Sequence, residues 1–187
     1  SAKVLGEDPD AIRSVHAAYF EAGADVAISA SYQATFEGLA GRGIDRNQAA
    51  ALMRRSVELA REAAGSGRVV AASVGPYGAM LGNGAEYTGD YDKDEDQLVE
   101  FHVPRIEALA EAEPDVLAVE TIPSFVEARA LVRALEKVPE IPAWVSFSCR
   151  DGRHICDGTP IGSAVEAVVS APGVVAVGVN STSPPFV

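Results

Sequence analysis

Five short apolar runs recur along the chain: DVAISA from Asp25, VVAASV from Val69, DVLAVE from Asp115, AWVSFS from Ala143 and VVAVGV from Val174. None alternates with polar residues, which is the pattern of strands buried on both faces of a parallel sheet. The stretches between them carry helical periodicity. Ile12, Val15, Tyr19 and Phe20 form one apolar stripe, and Leu98, Phe101, Ile106 and Leu109 form another. Asp45 with Gln48, and Ser124 with Glu127, are capping-box signatures that open two further helices. Pro104 falls inside the second stripe and is predicted to kink or interrupt that helix. Residues 75–94, rich in glycine, have no clear period and read as a structureless lid or binding loop.

Strands alternating with helices imply parallel strands joined by crossover helices, in either a doubly wound sheet or a (β/α) barrel. The turns that lead into strands are alike: AGADVAIS, AEPDVLAV and APGVVAVG. The strand exits differ from one another and are polar: SASYQAT, SVGPYGA, ETIPS, SFSCRDG and NSTSPP. Both architectures place ligands at the carboxyl ends of their strands, so these exits are the place to look for chemistry.

Composition narrows the partners. The 187 residues include 15 basic and 27 acidic side chains, a net charge of −12 that repels nucleic acid and anionic membranes. No apolar stretch approaches the roughly 20 residues needed to span a bilayer, and the first residues lack a signal-peptide pattern, so a cytoplasmic location is expected. Cys149 and Cys156 are too few for a disulfide framework and suit a reducing compartment. The densest acidic run, DYDKDEDQLVE, fits a solvated helix start.

Glu120 ends an apolar run, where a carboxylate needs a cation: either a structural arginine or a ligand. Ser29 and Ser31 point the same way from a strand end and either leave room for a ligand or bond to the backbone. Cys149, Asp151, His154 and Cys156 lie close together but match no common zinc signature. His16 and His102 fall within helices, where a satisfied imidazole is the default. The glycines of GAMLGNGAEYTGD lack the dinucleotide-binding spacing, and neither a phosphate-binding loop nor a nucleophile elbow is present.

ISASYQAT, SVGPYGA, EYTGDY, FHVPRIEAL, AVETIP, SFSCRDG, DGTP and VGVNSTSPPFV occur in an order that resembles the homocysteine S-methyltransferase family over nearly the whole chain. The resemblance implies a (β/α)8 TIM barrel, of which residues 1–187 form a single partial domain of about five central units, without the first strand and the last two units. It implies methyl transfer from S-methylmethionine or S-adenosylmethionine to the zinc-activated thiol of homocysteine, giving methionine. By the same resemblance Glu120 receives the homocysteine amino group. Ser29, Ser31 and Tyr32 line the polar end of the second strand of the barrel, and Asn180 stands beside the metal. Tyr77 and Tyr87, from the glycine-rich segment, are placed to face a sulfonium with their rings. The family's zinc is held by three cysteines. Ser181 occupies the position of one and the other pair is not in the sequence, so the chain as it stands is expected not to hold zinc and to be inactive. The alternative is a non-catalytic relative or fragment that keeps an amino-acid or sulfonium pocket.

Overall fold

The computed structural model describes residues 2–187, with the side chains of residues 2 and 3 left aside. Two helices, α1 (Ala2–Glu7) and α2 (Pro9–Glu21), precede β1 (Val26–Ile28). Then follow α3 (Phe36–Ala40), α4 (Arg46–Ala64), β2 (Val69–Val74), α5 (Tyr77–Leu81), α6 (Glu95–Ala110), β3 (Val116–Ile122), α7 (Phe125–Leu135), β4 (Ala143–Phe147), α8 (Ile161–Val169) and β5 (Val174–Val179). Every apolar run of the sequence is a strand.

The strands form one parallel sheet in the order β1-β2-β3-β4-β5. Each new strand adds beside the last, so crossovers of one hand deliver every helix to the same face. Consecutive helices accordingly pack side by side, α2 on α4, α4 on α6, α6 on α7 and α7 on α8. The main core lies between this helical layer and the sheet. Val70, Ala72, Val74, Leu117, Val119, Val145 and Phe147 meet Met53, Val57, Ile106, Leu109 and Leu131 there. The other face carries the alternate residues: Ala71, Val116 and Ala118 cluster there, with Trp144 packed on them. Val26 and Ile28 of β1 are partly open to solvent. A doubly wound sheet would reverse its strand order and bury both faces with helices, and neither feature is present among the described residues.

Several local expectations need correction. Helix α6 runs unbroken through Pro104. The carbonyl left without a partner by that proline belongs to Glu100, an exposed residue, so water can satisfy it. In α2 only Ile12 and Phe20 are buried, while Val15 and Tyr19 are exposed because no neighbour covers that side. Residues 75–94 are not structureless: they contain α5 and a 3₁₀ turn at Ala85–Tyr87. β5 is a partly exposed edge strand rather than a buried one. The acidic run does open a helix, with Asp94 capping α6 and Glu95 and Asp96 in its first turn.

Candidate functional site

At the carboxyl end of β3, alternation puts Glu120 on the helix-free face beside Ser73 of β2. The Ser73 hydroxyl donates to Glu120 Oε1. That is its only side-chain partner: among the described residues no arginine, lysine or histidine pairs with Glu120. Burial pushes its carboxyl up from the ordinary range, and the Ser73 bond offsets only part of that. The structural salt bridge that a strand-end carboxylate could have had is absent. A cationic group beside it would compensate it.

The next residue is under strain. Thr121 is β-branched yet has φ 64°, in the left-handed region where such side chains are rare. Here the β3–β4 register shifts, between Val119 and Ile122. Asn180, from the end of β5, holds the distortion with both ends of its amide. Its Oδ1 accepts from Thr121 N at 2.9 Å, and its Nδ2 donates to Thr121 Oγ1 at 2.8 Å. Such a conformation costs on the order of 1–3 kcal/mol and persists only where its surroundings impose it. The polar close of VVAVGVNST is thereby explained in part: Asn180 ties the end of β5 to that of β3, across the intervening β4.

Ser29 and Ser31 are buried, and their hydroxyls lie 2.7 Å apart. Ser31 Oγ donates to Ser73 O at 2.8 Å, and Ser73 N donates to Ser29 Oγ at 3.1 Å. Ser31 has spent its proton on a carbonyl, so Ser29 is the donor between the two, and both hydroxyl protons are consumed inside the protein. Their geometry is that of a brace between β1 and β2. Tyr32 lies in the Glu120 neighbourhood: burial, together with the nearby Glu86, Tyr87 and Glu120, pushes its pKa up to about 12 against the opposing influence of Thr121. It therefore stays protonated. Gly75 is needed beneath it, because a Cβ there would stand 2.6 Å from Tyr32 O and 2.7 Å from its ring.

Tyr87 is exposed on the 3₁₀ turn, next to Glu86, whose Oε2 is buried without a partner. The ring of Tyr77 is committed elsewhere, 5.3 Å from that of Tyr91 and 4.9 Å from that of Phe101, with Lys93 Nζ 5.7 Å from its centroid. The structure thus brings Tyr32, Tyr87, Glu120 and Asn180 to one end of the sheet and leaves Tyr77 in a separate aromatic cluster.

Two fully buried ionisable groups complete the surroundings. Arg105 of α6 clamps the strand exits, with Nη1 donating to Gly75 O at 2.8 Å and Nη2 to Tyr32 O at 3.1 Å. Burial lowers its pKa to about 10, still high enough to keep it charged. Glu127, in the first turn of α7, receives the backbone N–H of Tyr77 at 2.6 Å, the His102 ring nitrogen Nε2 at 2.8 Å and the Tyr91 hydroxyl. The sequence marks Glu127 only as part of a helix start with Ser124, and Arg105 not at all as a site residue. The signal for Arg105 was available, since it lies one helical turn after Phe101 on the apolar stripe.

The residues present do not fit a three-thiolate zinc site. Ser181 is exposed, with φ 47°, and offers a hydroxyl. Burial pushes the Cys149 and Cys156 thiols away from the thiolate form, and Cys156 Sγ donates to Ser148 Oγ at 3.4 Å. Asp151 spends its oxygens on the backbone of Arg153 and His154 and on the His154 ring. Among the described residues no three histidine, cysteine or acidic side chains converge as a metal site.

Fold and site together define an α/β protein whose polar residues gather at the carboxyl ends of parallel strands, around a carboxylate that lacks a cation. The sequence profile of homocysteine S-methyltransferases matches residues 1–187, and the chain belongs to that family. Homocysteine S-methyltransferase YbgG of Bacillus subtilis is 48% identical over 194 residues, covering 97% of this chain and 62% of the relative. The Escherichia coli homocysteine S-methyltransferase is 50% identical over 190 residues, covering 96% of this chain and 61% of its own. The crystal structure of the metallated form of the homocysteine methyltransferase MmuM from Escherichia coli superposes with a TM-score of 0.91 at 49% identity, covering 96% of this chain and 65% of that one. The chain thus spans about three fifths of the length of these relatives.

Proposed function

We propose that the site accepts the amino group of homocysteine on Glu120, as part of an enzyme that moves a methyl group from a sulfonium donor, S-methylmethionine or S-adenosylmethionine, to the homocysteine thiol. The observation that carries this reading is the missing counter-ion of Glu120. An α-ammonium would supply it, with a charge-assisted hydrogen bond in a partly desolvated setting. In the transfer the homocysteine thiol gives up its proton to solvent and its sulfur forms a bond to the methyl carbon. The donor's sulfur–methyl bond breaks, its electron pair returning to the donor sulfur, which leaves as a neutral thioether. The residues of this chain contribute to binding and orientation. Glu120 holds the ammonium, Asn180 and Thr121 fix the floor beside it, and the protonated Tyr32 keeps a neutral hydroxyl at the strand end.

Strand order, a one-sided helical layer and the structural likeness to MmuM support placing the five strands as an arc of a (β/α)8 barrel, within one domain. No helix among the described residues is long and apolar enough to cross a membrane. Ser181 favours a second reading, a relative that binds the amino acid or the sulfonium without turning it over, because a serine hydroxyl does not replace a thiolate as a ligand at neutral pH.

The test is calorimetry with L-homocysteine on the complete protein and on its Glu120→Gln variant. Loss of the charged partner should weaken binding by about 1–3 kcal/mol. Unchanged affinity in a folded variant would remove Glu120 from the site.

A further inference from the structure

Glu127 is fully buried, yet its carboxylate serves no helix cap and pairs with no surface cation. Ser124 Oγ accepts from Glu127 N at 3.4 Å, completing only half of a capping box, because the Glu127 side chain turns inward. There it collects three donors. Tyr77 N and the Tyr91 hydroxyl come from the two ends of the segment between β2 and α6, and His102 Nε2 comes from α6. With Nε2 donating, His102 Nδ1 is the unprotonated nitrogen, and it is the atom left buried without a partner.

The segment held in this way crosses the candidate site. Between its two anchored ends lie Gly82, Gly84 and Gly89, all with positive φ, and the turn that carries Glu86 and Tyr87. Between those ends Ala79 and Ala85 are buried, but the hydrogen bonds from the middle to the rest of the protein are the longer ones from Gln33 Nε2 to Ala79 O at 3.2 Å and from Ser148 Oγ to Glu86 O at 3.3 Å. A segment with three positive-φ glycines and long hydrogen bonds in its middle depends on its anchored ends for its placement. We propose that Glu127 is a positioning residue, which pins both ends of residues 77–91 and thereby sets Glu86 and Tyr87 as the wall of the site that meets a cationic sulfonium donor. The donor half of this inference rests on the proposed function. A sulfonium is attracted both by the carboxylate of Glu86, whose Oε2 lacks a protein partner, and by the Tyr87 ring face.

The test compares the wild-type protein with Glu127→Gln and with Tyr91→Phe, which removes one donor and leaves the carboxylate. Hydrogen–deuterium exchange is followed over residues 77–91, and binding of S-methylmethionine and L-homocysteine is measured separately. Exchange across 77–91 should accelerate on the order of tenfold in Glu127→Gln and a few-fold in Tyr91→Phe, with the strands unchanged. The S-methylmethionine dissociation constant should rise by roughly fivefold or more while that of homocysteine holds. Unchanged exchange in a folded Glu127→Gln variant overturns the positioning role, as does equal weakening for both ligands. If Glu127→Gln does not fold, Tyr91→Phe decides alone, and normal exchange over 77–91 in that variant overturns the proposal. A wild-type protein that binds neither ligand would overturn the functional reading and the donor half with it, while the exchange result still decides whether Glu127 pins the segment.

Discussion

Glu120 closes strand β3 and Glu127 opens the helix that follows it, so the same connection presents two carboxylates to two different surroundings. Glu127 sits in the protein interior and is met by three donors from three side chains or backbone groups. Glu120 sits at the sheet end and is met by one hydroxyl. A buried charge that the protein satisfies fully contributes to holding the fold in one arrangement. A half-buried charge that it satisfies poorly costs stability until something outside the chain arrives. The contrast separates a carboxylate satisfied by the fold from the one proposed to bind a ligand, and each side of it can be broken.

The largest effect should follow from Glu127→Ala, which strands the Tyr77 N–H, the Tyr91 hydroxyl and the His102 ring and leaves Arg105 without its nearest buried negative charge. Removing one member of such a network costs about 3–5 kcal/mol. Urea denaturation should register that loss, and a change below about 1 kcal/mol would mean that the network reorganises freely.

Glu120→Gln should act in the opposite direction on stability. Burial raises the folded-state pKa of Glu120 above its unfolded value, so the folded form is favoured by protonation below the unfolded pKa of about 4.5 and loses that advantage as pH rises through the folded value. At neutral pH the ionised group is a liability, and the neutral amide should stabilise the free protein by roughly 0.5–1 kcal/mol while weakening ligand binding. A loss of stability at pH 7 would point to a structural partner for Glu120.

The smallest effect concerns His102. Desolvation lowers its pKa, against the opposing influence of Glu127. The unfolded chain then takes up a proton below about pH 6.5 that the folded protein refuses, so this group's contribution to stability is present above that pH and declines as pH falls toward the folded value. Thermal melts between about pH 5 and 7.5 should show a shallower decline in His102→Gln than in wild type. Identical slopes would mean that His102 carries a proton in the folded state.

Much of this arrangement was legible in the sequence. The unalternating runs located all five strands, and their polar exits pointed to the candidate site. A strand-end carboxylate at Glu120 needs a cation, and among the described residues no arginine meets it. Periodicity left open whether the sheet is singly or doubly wound, because both architectures bury their strands; strand order distinguishes them. The Ser124–Glu127 spacing was legible as a helix start, but the spacing says nothing of Glu127 turning away from the cap toward Tyr77, Tyr91 and His102, groups remote in sequence. Nor does any local signal mark Thr121 as left-handed. Its conformation is imposed by Asn180, two strands away, and a β-branched residue is the last type that local preference would place there. Pro104 misled for the opposite reason, since the carbonyl it leaves unpaired belongs to an exposed residue, Glu100, where water can replace the lost partner.

The most direct test of the contrast is the titration of the Glu120 side-chain carboxyl by carbon NMR, assigned by its disappearance in Glu120→Gln and repeated with L-homocysteine present. An uncompensated binding carboxylate should titrate above the ordinary glutamate range in the free protein and move down when an ammonium arrives beside it. A midpoint at or below the ordinary value of about 4.5, unmoved by homocysteine, would contradict the account, because Glu120 would then already have its partner within the protein.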